Sequence, residues 1–241
     1  MELVDVAAGW YWMGSNEGSP GDGPRHRVWL DAFAIGRTPV TNAEYAPFLE
    51  WTRTPPPPWW DDPRFADPGQ PVVGVNWFEA AAYCRWLSGE RRERIQLPSE
   101  AQWEKAARGG LDNARFPWGA DRPAWTLDRP PLVLDTPANP WGLLALSGAC
   151  HEWCLDWEDE RYYSRSPDRN PLGPAQGTRR VSRGGAWRHQ DPWTTVARRS
   201  SLPPSLRYSD YGFRVASGPL PAGAGAEDSD RRGNARRDRS S

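Results

Sequence analysis

The residues best suited to chemistry stand in two short stretches. One is RGGAWRHQDPWTT (residues 183–195), where a glycine pair leads into Trp187, Arg188, His189, Trp193 and Thr194. The other is SGACHEWCLDW (residues 147–157), with Cys150, His151, Glu152 and Cys154. An imidazole can act as a general acid or base or as a metal ligand near neutral pH, and a thiolate can act as a nucleophile or soft ligand. The first stretch has no cysteine. In the second, Cys150, His151 and Cys154 crowd three N or S ligands into five residues. A structural zinc site takes four, so the fourth would have to come from His26, His189 or Cys84. Free cysteines packed as small hydrophobes are the simpler reading, above all for Cys84. The spacing of Cys150 and Cys154 also differs from the redox C-x-x-C pattern. For His189 an ordinary surface or pocket histidine making hydrogen bonds is the favoured reading over a catalytic or metal role. Gly184 and Gly185 require no more than a close backbone approach or a bulge at a strand end. Among the arginines, Arg188, Arg198, Arg199 and Arg214 would suit a carboxylate or a peptide backbone, or would serve as structural glue stacked on tryptophan.

These side chains must be held by a scaffold, and three helices announce themselves by the same device. Thr41 with Glu44, Asn76 with Glu79 and Ser99 with Gln102 each form a capping-box pattern ahead of an apolar stripe. The stripes are Tyr45, Phe48 and Leu49; Ala80, Cys84 and Leu87; and Trp103, Ala106 and Ala107. Gly89 and Gly109 are read as the stops of the second and third helices. Rough alternation marks strands in HRVWLDAFAI (26–35), TRRVSRGG (178–185) and YGFRVAS (211–217). TPPPPWW (54–60) must be extended, because consecutive prolines fix φ.

At 241 residues the chain can bury one substantial core, and the reading is one domain over 1–217. Residues 218–241 lack periodic apolar positions and are expected to form a disordered tail. The 16 Trp, 26 Pro and 23 Gly point to long irregular segments pinned by aromatic rings. A formal net charge of −1 gives no reason to expect nucleic acid or an anionic membrane as partner. No apolar run reaches the roughly 20 residues that span a bilayer. Met1 is followed by Glu2 and Asp5, unlike a signal segment, so the expected location is cytoplasmic. Three cysteines are too few for a secreted disulfide framework.

Eight blocks carry a resemblance in their order along the chain: AAGWYWMGS (7–15), PRHRVWLDAFAIGRTPVTNAEYAPF (24–48), PVVGVNWFEAAAYCRWLS (71–88), LPSEAQWEKAARGG (97–110), FPWG (116–119), PWGLLALSGACHEWCLDW (140–157), RVSRGGAW (180–187) and YGFRVA (211–216). In these the sequence resembles the formylglycine-generating enzyme, or sulfatase-modifying factor, family. The resemblance implies an α+β fold, the formylglycine-generating-enzyme variant of the C-type-lectin fold, with little regular secondary structure. It also implies where function would lie. The oxidase members hold copper(I) between two cysteines, and in this chain those positions fall on His189 and Thr194. Copper(I) favours soft thiolates, and a threonine hydroxyl is a hard, weak ligand, so copper is not expected. The family's calcium loop commonly carries an acid or amide and an asparagine where Ala145 and Ala149 stand. Calcium wants six to eight oxygen ligands; only Glu152 and carbonyls near Gly148 and Cys150 remain, so binding would be weak at best. A second calcium loop, sought in residues 120–139, is shortened and its ligands have no evident positions.

By the same resemblance the ligand groove comprises Trp187, Arg188, His189, Trp193, Arg198, Arg199 and Arg214. Three functions compete. The first is a binding or accessory domain whose groove takes a peptide or small metabolite, with a possible partner enzyme. The second is an oxidative tailoring or maturation enzyme of different chemistry, with His189 and His151 in the pocket. The third, an active formylglycine-generating oxidase, is the least compatible with the residues.

Overall fold

The computed structural model describes residues 1–119 and 127–218. From residue 219 onward the expected tail lies outside the described residues, as do residues 120–126 of the second calcium loop. The chain opens with strands β1 (Leu3–Val6), β2 (Gly9–Met13), β3 (His26–Leu30) and β4 (Phe33–Gly36). The alternation of residues 26–35 reads as one strand, but the backbone turns at Asp31. The Asp31 carboxylate accepts hydrogen bonds from Trp29 Nε1 and Asn170 Nδ2, which fixes a corner. Strand β3 therefore pairs with β2, and β4 with β1.

All three capped helices form: α1 (Asn42–Thr52), α2 (Trp77–Arg91) and α3 (Glu100–Arg108), each with a complete capping box. Helix α3 stops at Gly109 in the left-handed region, as its sequence predicts. Helix α2 does not stop at Gly89. It runs on to Arg91, and Arg92 takes the left-handed cap with its N–H on the Ser88 carbonyl. A glycine inside a helix costs only about 1 kcal/mol, so the later cap prevails.

The remaining strands are β5 (Ile95–Gln96), β6 (His151–Trp157), β7 (Arg180–Arg183), β8 (Ser200–Leu202), β9 (Tyr211–Gly212) and β10 (Ala216–Ser217). Among the described residues they form two four-stranded sheets, ordered β1-β4-β10-β5 and β8-β7-β6-β9, and the β2-β3 hairpin. The fold is α+β, with strands of two to seven residues. Residues 211–217, read as one strand, split between the two large sheets: β9 pairs with β6 in parallel and β10 inserts between β4 and β5.

Helix α3 lies at the centre, and every one of its residues is buried. Its charged face is neutralised internally. Arg183 donates to Glu100 at 3.0 Å and to Glu104 at 2.6 Å, Arg199 donates to Glu100 at 2.7 Å, and Arg108 donates to Glu104 at 2.7 Å. Since an unpaired buried charge is far costlier than a paired one, this cluster fixes where β7 ends. That end positions the glycine pair and the functional loop beyond it.

Candidate functional site

Strand β7 runs into Gly184 and Gly185, whose φ angles of 91° and 64° are left-handed. A Cβ on Gly185 would lie 2.5 Å from the Trp193 carbonyl oxygen. The pair thus folds the following loop tightly back on itself, which is the structural role its sequence allows. The turn brings His189 against the start of β6. The His151 and His189 rings meet edge to face with centroids 5.0 Å apart, and His151 stacks on Tyr211 at 4.6 Å. Parallel pairing of β6 with β9 sets His151 opposite Tyr211, and the His151 N–H donates to the Asp210 carbonyl at 2.8 Å.

Asp210 completes the group. One donor atom from each of His151, His189 and Asp210 lies within 4.8 Å of the others. The Asp210 side chain is buried, and its Oδ2 accepts from Arg188 Nε at 2.8 Å and Nη2 at 2.7 Å. Its Oδ1 has no partner among the described residues, and neither does Nδ1 of buried His151. Burial, with His189 and Arg188 adding to it, pulls the His151 pKa down to about 3. Burial also lowers the pKa of His189, with Asp210 opposing and Arg188 reinforcing the shift. Both shifts favour the neutral imidazole; His151 Nδ1 is unpartnered, while His189 Nδ1 accepts from the Ala186 N–H at 3.3 Å. Two nitrogens and one carboxylate oxygen are metal-type donors.

The other sequence-predicted positions divide between this site and the interior. Trp193 is 48% exposed, sits 6.4 Å from the His189 ring and carries Arg198 over its own ring at 4.1 Å. Trp187 is half-buried against Phe65, and its Nε1 has no partner among the described residues. Thr194 is buried, and its carbonyl accepts from Ser147 Oγ at 2.6 Å. Arg199 and Arg214 do not line a groove. Arg199 is buried on Glu100 and over the Tyr163 ring. Arg214 is buried in a bidentate pair with Glu152, at 2.5 and 2.7 Å, and also donates to the Gly36 and Leu144 carbonyls.

The same pair corrects the calcium reading at Gly148, Cys150 and Glu152. Arg214 and Trp103 Nε1 occupy the Glu152 carboxylate, at 2.7 Å for the indole. Ala145 and Ala149 pack with Val133 as an apolar cluster where oxygen ligands would be required. Zinc on Cys150, His151 and Cys154 fails on strand geometry, because neighbouring strand residues point to opposite faces. Cys150 packs near Phe65 and Val73, Cys154 lies in the main core, and His151 faces away from both toward His189. Asp210 and Tyr211 are the functional-site residues that sequence reasoning missed. The available signal was an acid immediately before the YGFRVA block.

Beside the loop, a half-open cavity of about 750 Å³ is lined by residues that include Asn16, Ser19, Arg25, Arg115, Thr195 and Arg198. Arg198 links it to Trp193. Among the described residues no helix is long and apolar enough to cross a membrane.

With ordered blocks, α+β topology and loop geometry in agreement, comparison with known proteins defines the class. The chain matches the sulfatase-modifying factor enzyme 1-like domain over residues 1–218 and belongs to that family. It is 33% identical over 294 residues to the formylglycine-generating enzyme of Streptomyces coelicolor, covering 93% of this chain and 92% of that protein. It is 34% identical over 240 residues to serine/threonine-protein kinase pkn1 of Chlamydia caviae, covering 90% of this chain. The chain spans only 38% of that kinase's length. Treponema denticola variable protein 1 shares the fold with a TM-score of 0.80 at 25% identity, over 90% of this chain and 95% of that one.

Proposed function

We propose that this chain is a ligand-binding member of the family that holds a peptide or small acidic metabolite against residues 187–198 and lacks thiolate–copper oxidation. The observation that carries the reading is the state of the thiols. Cys84, Cys150 and Cys154 are free and buried, and burial raises each pKa well above that of an ordinary thiol. None stands at His189 or Thr194, so a two-thiolate copper(I) site has no donors. What the loop offers instead is recognition surface: the exposed Trp193 ring and the half-exposed Arg188. The adjoining cavity, with arginines, Asn16 and Ser19 on its wall, suits a polar chain better than an apolar one. On this reading a partner enzyme supplies the chemistry.

Two measurements test this together. A Cys-x-Pro-x-Arg peptide incubated with the protein, copper, reductant and oxygen should keep its mass; conversion of its thiol to an aldehyde would refute the reading. A panel of glutamate-containing tetrapeptides should quench tryptophan fluorescence saturably, with at least a tenfold loss of affinity in Trp193→Ala. Affinities unchanged by that substitution would place the ligand elsewhere. The convergence of His151, His189 and Asp210 favours a second reading, an enzyme of different chemistry acting in oxidative tailoring or maturation.

A further inference from the structure

We propose that His151, His189 and Asp210 bind one first-row divalent cation, as a two-histidine, one-carboxylate centre at the base of the loop. The inference draws on the side chains behind the second reading and does not require a peptide ligand. Its test uses the metal alone, so the two can fail separately.

Two kinds of observation carry it. The first is convergence from distant parts of the chain: His151 begins β6, His189 lies in the loop after β7, and Asp210 immediately precedes β9. Their donor atoms fall within 4.8 Å of one another. The second is unsatisfied polarity. His151 is 4% exposed and Asp210 0%, yet His151 Nδ1 and Asp210 Oδ1 have no hydrogen-bond partner among the described residues. A buried polar atom without a partner is destabilising, so two at one spot, beside a third donor, indicate that something binds there.

The donor set narrows what that is. Two imidazole nitrogens and a carboxylate oxygen suit iron(II), zinc(II) or cobalt(II) better than the soft, thiolate-seeking ions, with further coordination positions left open. Ligand bonds of about 2.0–2.2 Å require the donors to close up somewhat from their 4.8 Å span. His189 is the member able to move. It is half-exposed and on a loop, and its Nδ1 accepts only a long 3.3 Å bond from the Ala186 N–H. Coordination through Nδ1 replaces that bond. Coordination through Nε2 shifts the ring proton to Nδ1 and also gives the bond up, so the loss is one weak interaction either way. Asp210 is already oriented. Arg188 holds Oδ2 through two nitrogens and leaves Oδ1 without a partner, the way an outer partner orients a ligating carboxylate.

The full chain, stripped with EDTA and freed of chelator, should be titrated with cobalt(II) under nitrogen and followed by visible absorption and thermal unfolding. The expected result is one saturating equivalent, displaced by zinc(II) or iron(II), with a melting temperature several degrees higher. His189→Ala, at a half-exposed position that can accept a smaller side chain, should weaken binding at least tenfold, and Asp210→Asn should do likewise. His26→Ala, which removes the remaining histidine, should leave the affinity unchanged. Absence of saturable bands and of any melting shift with all three metals would overturn the proposal, since a buried water then occupies the place. Binding that survives in both His189→Ala and Asp210→Asn would overturn it too.

Discussion

Replacing Arg214 by methionine tests the assignment of Glu152 to the interior. The guanidinium donates twice to the Glu152 carboxylate and twice more to the Gly36 and Leu144 carbonyls, and both charged side chains are fully buried. Methionine fills similar volume but leaves Glu152 with only the Trp103 indole as a neutral donor. Breaking a buried pair from one side costs about 3–5 kcal/mol. For a domain of this size that corresponds to a fall in melting temperature of roughly 10 °C. Urea unfolding should show the deficit directly. Adding Glu152→Gln to Arg214→Met should recover part of the loss, since the amide still accepts from Trp103 and carries no charge. A single-variant loss under about 1 kcal/mol, far below that range, or a double variant no more stable than the single, would refute the reasoning.

Asp156 gives a pH-dependent prediction. Burial and then the neighbouring Glu100 raise its pKa to about 7, above the value in an unfolded chain. The folded state therefore holds the proton more tightly, and this group's contribution to stability is lost as pH rises from about 4 to about 7. Asp156→Asn, which keeps an acceptor for the Glu100 N–H at 2.7 Å, should flatten that slope in urea midpoints; parallel wild-type and variant profiles would count against it. Gly185→Ala should cost at least about 1–2 kcal/mol from the left-handed backbone alone, and more from the Trp193 carbonyl 2.5 Å from the new Cβ. A thermal shift below one degree would show that the loop yields. Low-micromolar calcium should leave the melting temperature unchanged, because Glu152 is committed to Arg214 and Trp103; a clear rise would contradict that commitment.

Local chemistry was legible in the sequence wherever the cause lies within a few residues. A capping box needs only Thr41 and Glu44, or Ser99 and Gln102, and all three helices start where these pairs stand. Gly109 stops its helix for the same local reason, and the order of the blocks carried the fold. The absence of a thiolate pair is likewise a property of the residues themselves: His189 and Thr194 cannot become cysteines on folding. Tertiary structure decided the rest. Arginine has one chemistry whether it faces a groove or a buried carboxylate, so only the packing of α3 and β6 assigns Arg199 to Glu100 and Arg214 to Glu152. The sequence neighbours Cys150, His151 and Cys154 invited a shared site, but strand alternation sends the histidine to the opposite face from both thiols. Convergence of His151, His189 and Asp210 depends on the parallel β6–β9 pairing and the turn at Gly184 and Gly185. The turn is local, but the strand pairing is a long-range contact, which no short window of sequence contains.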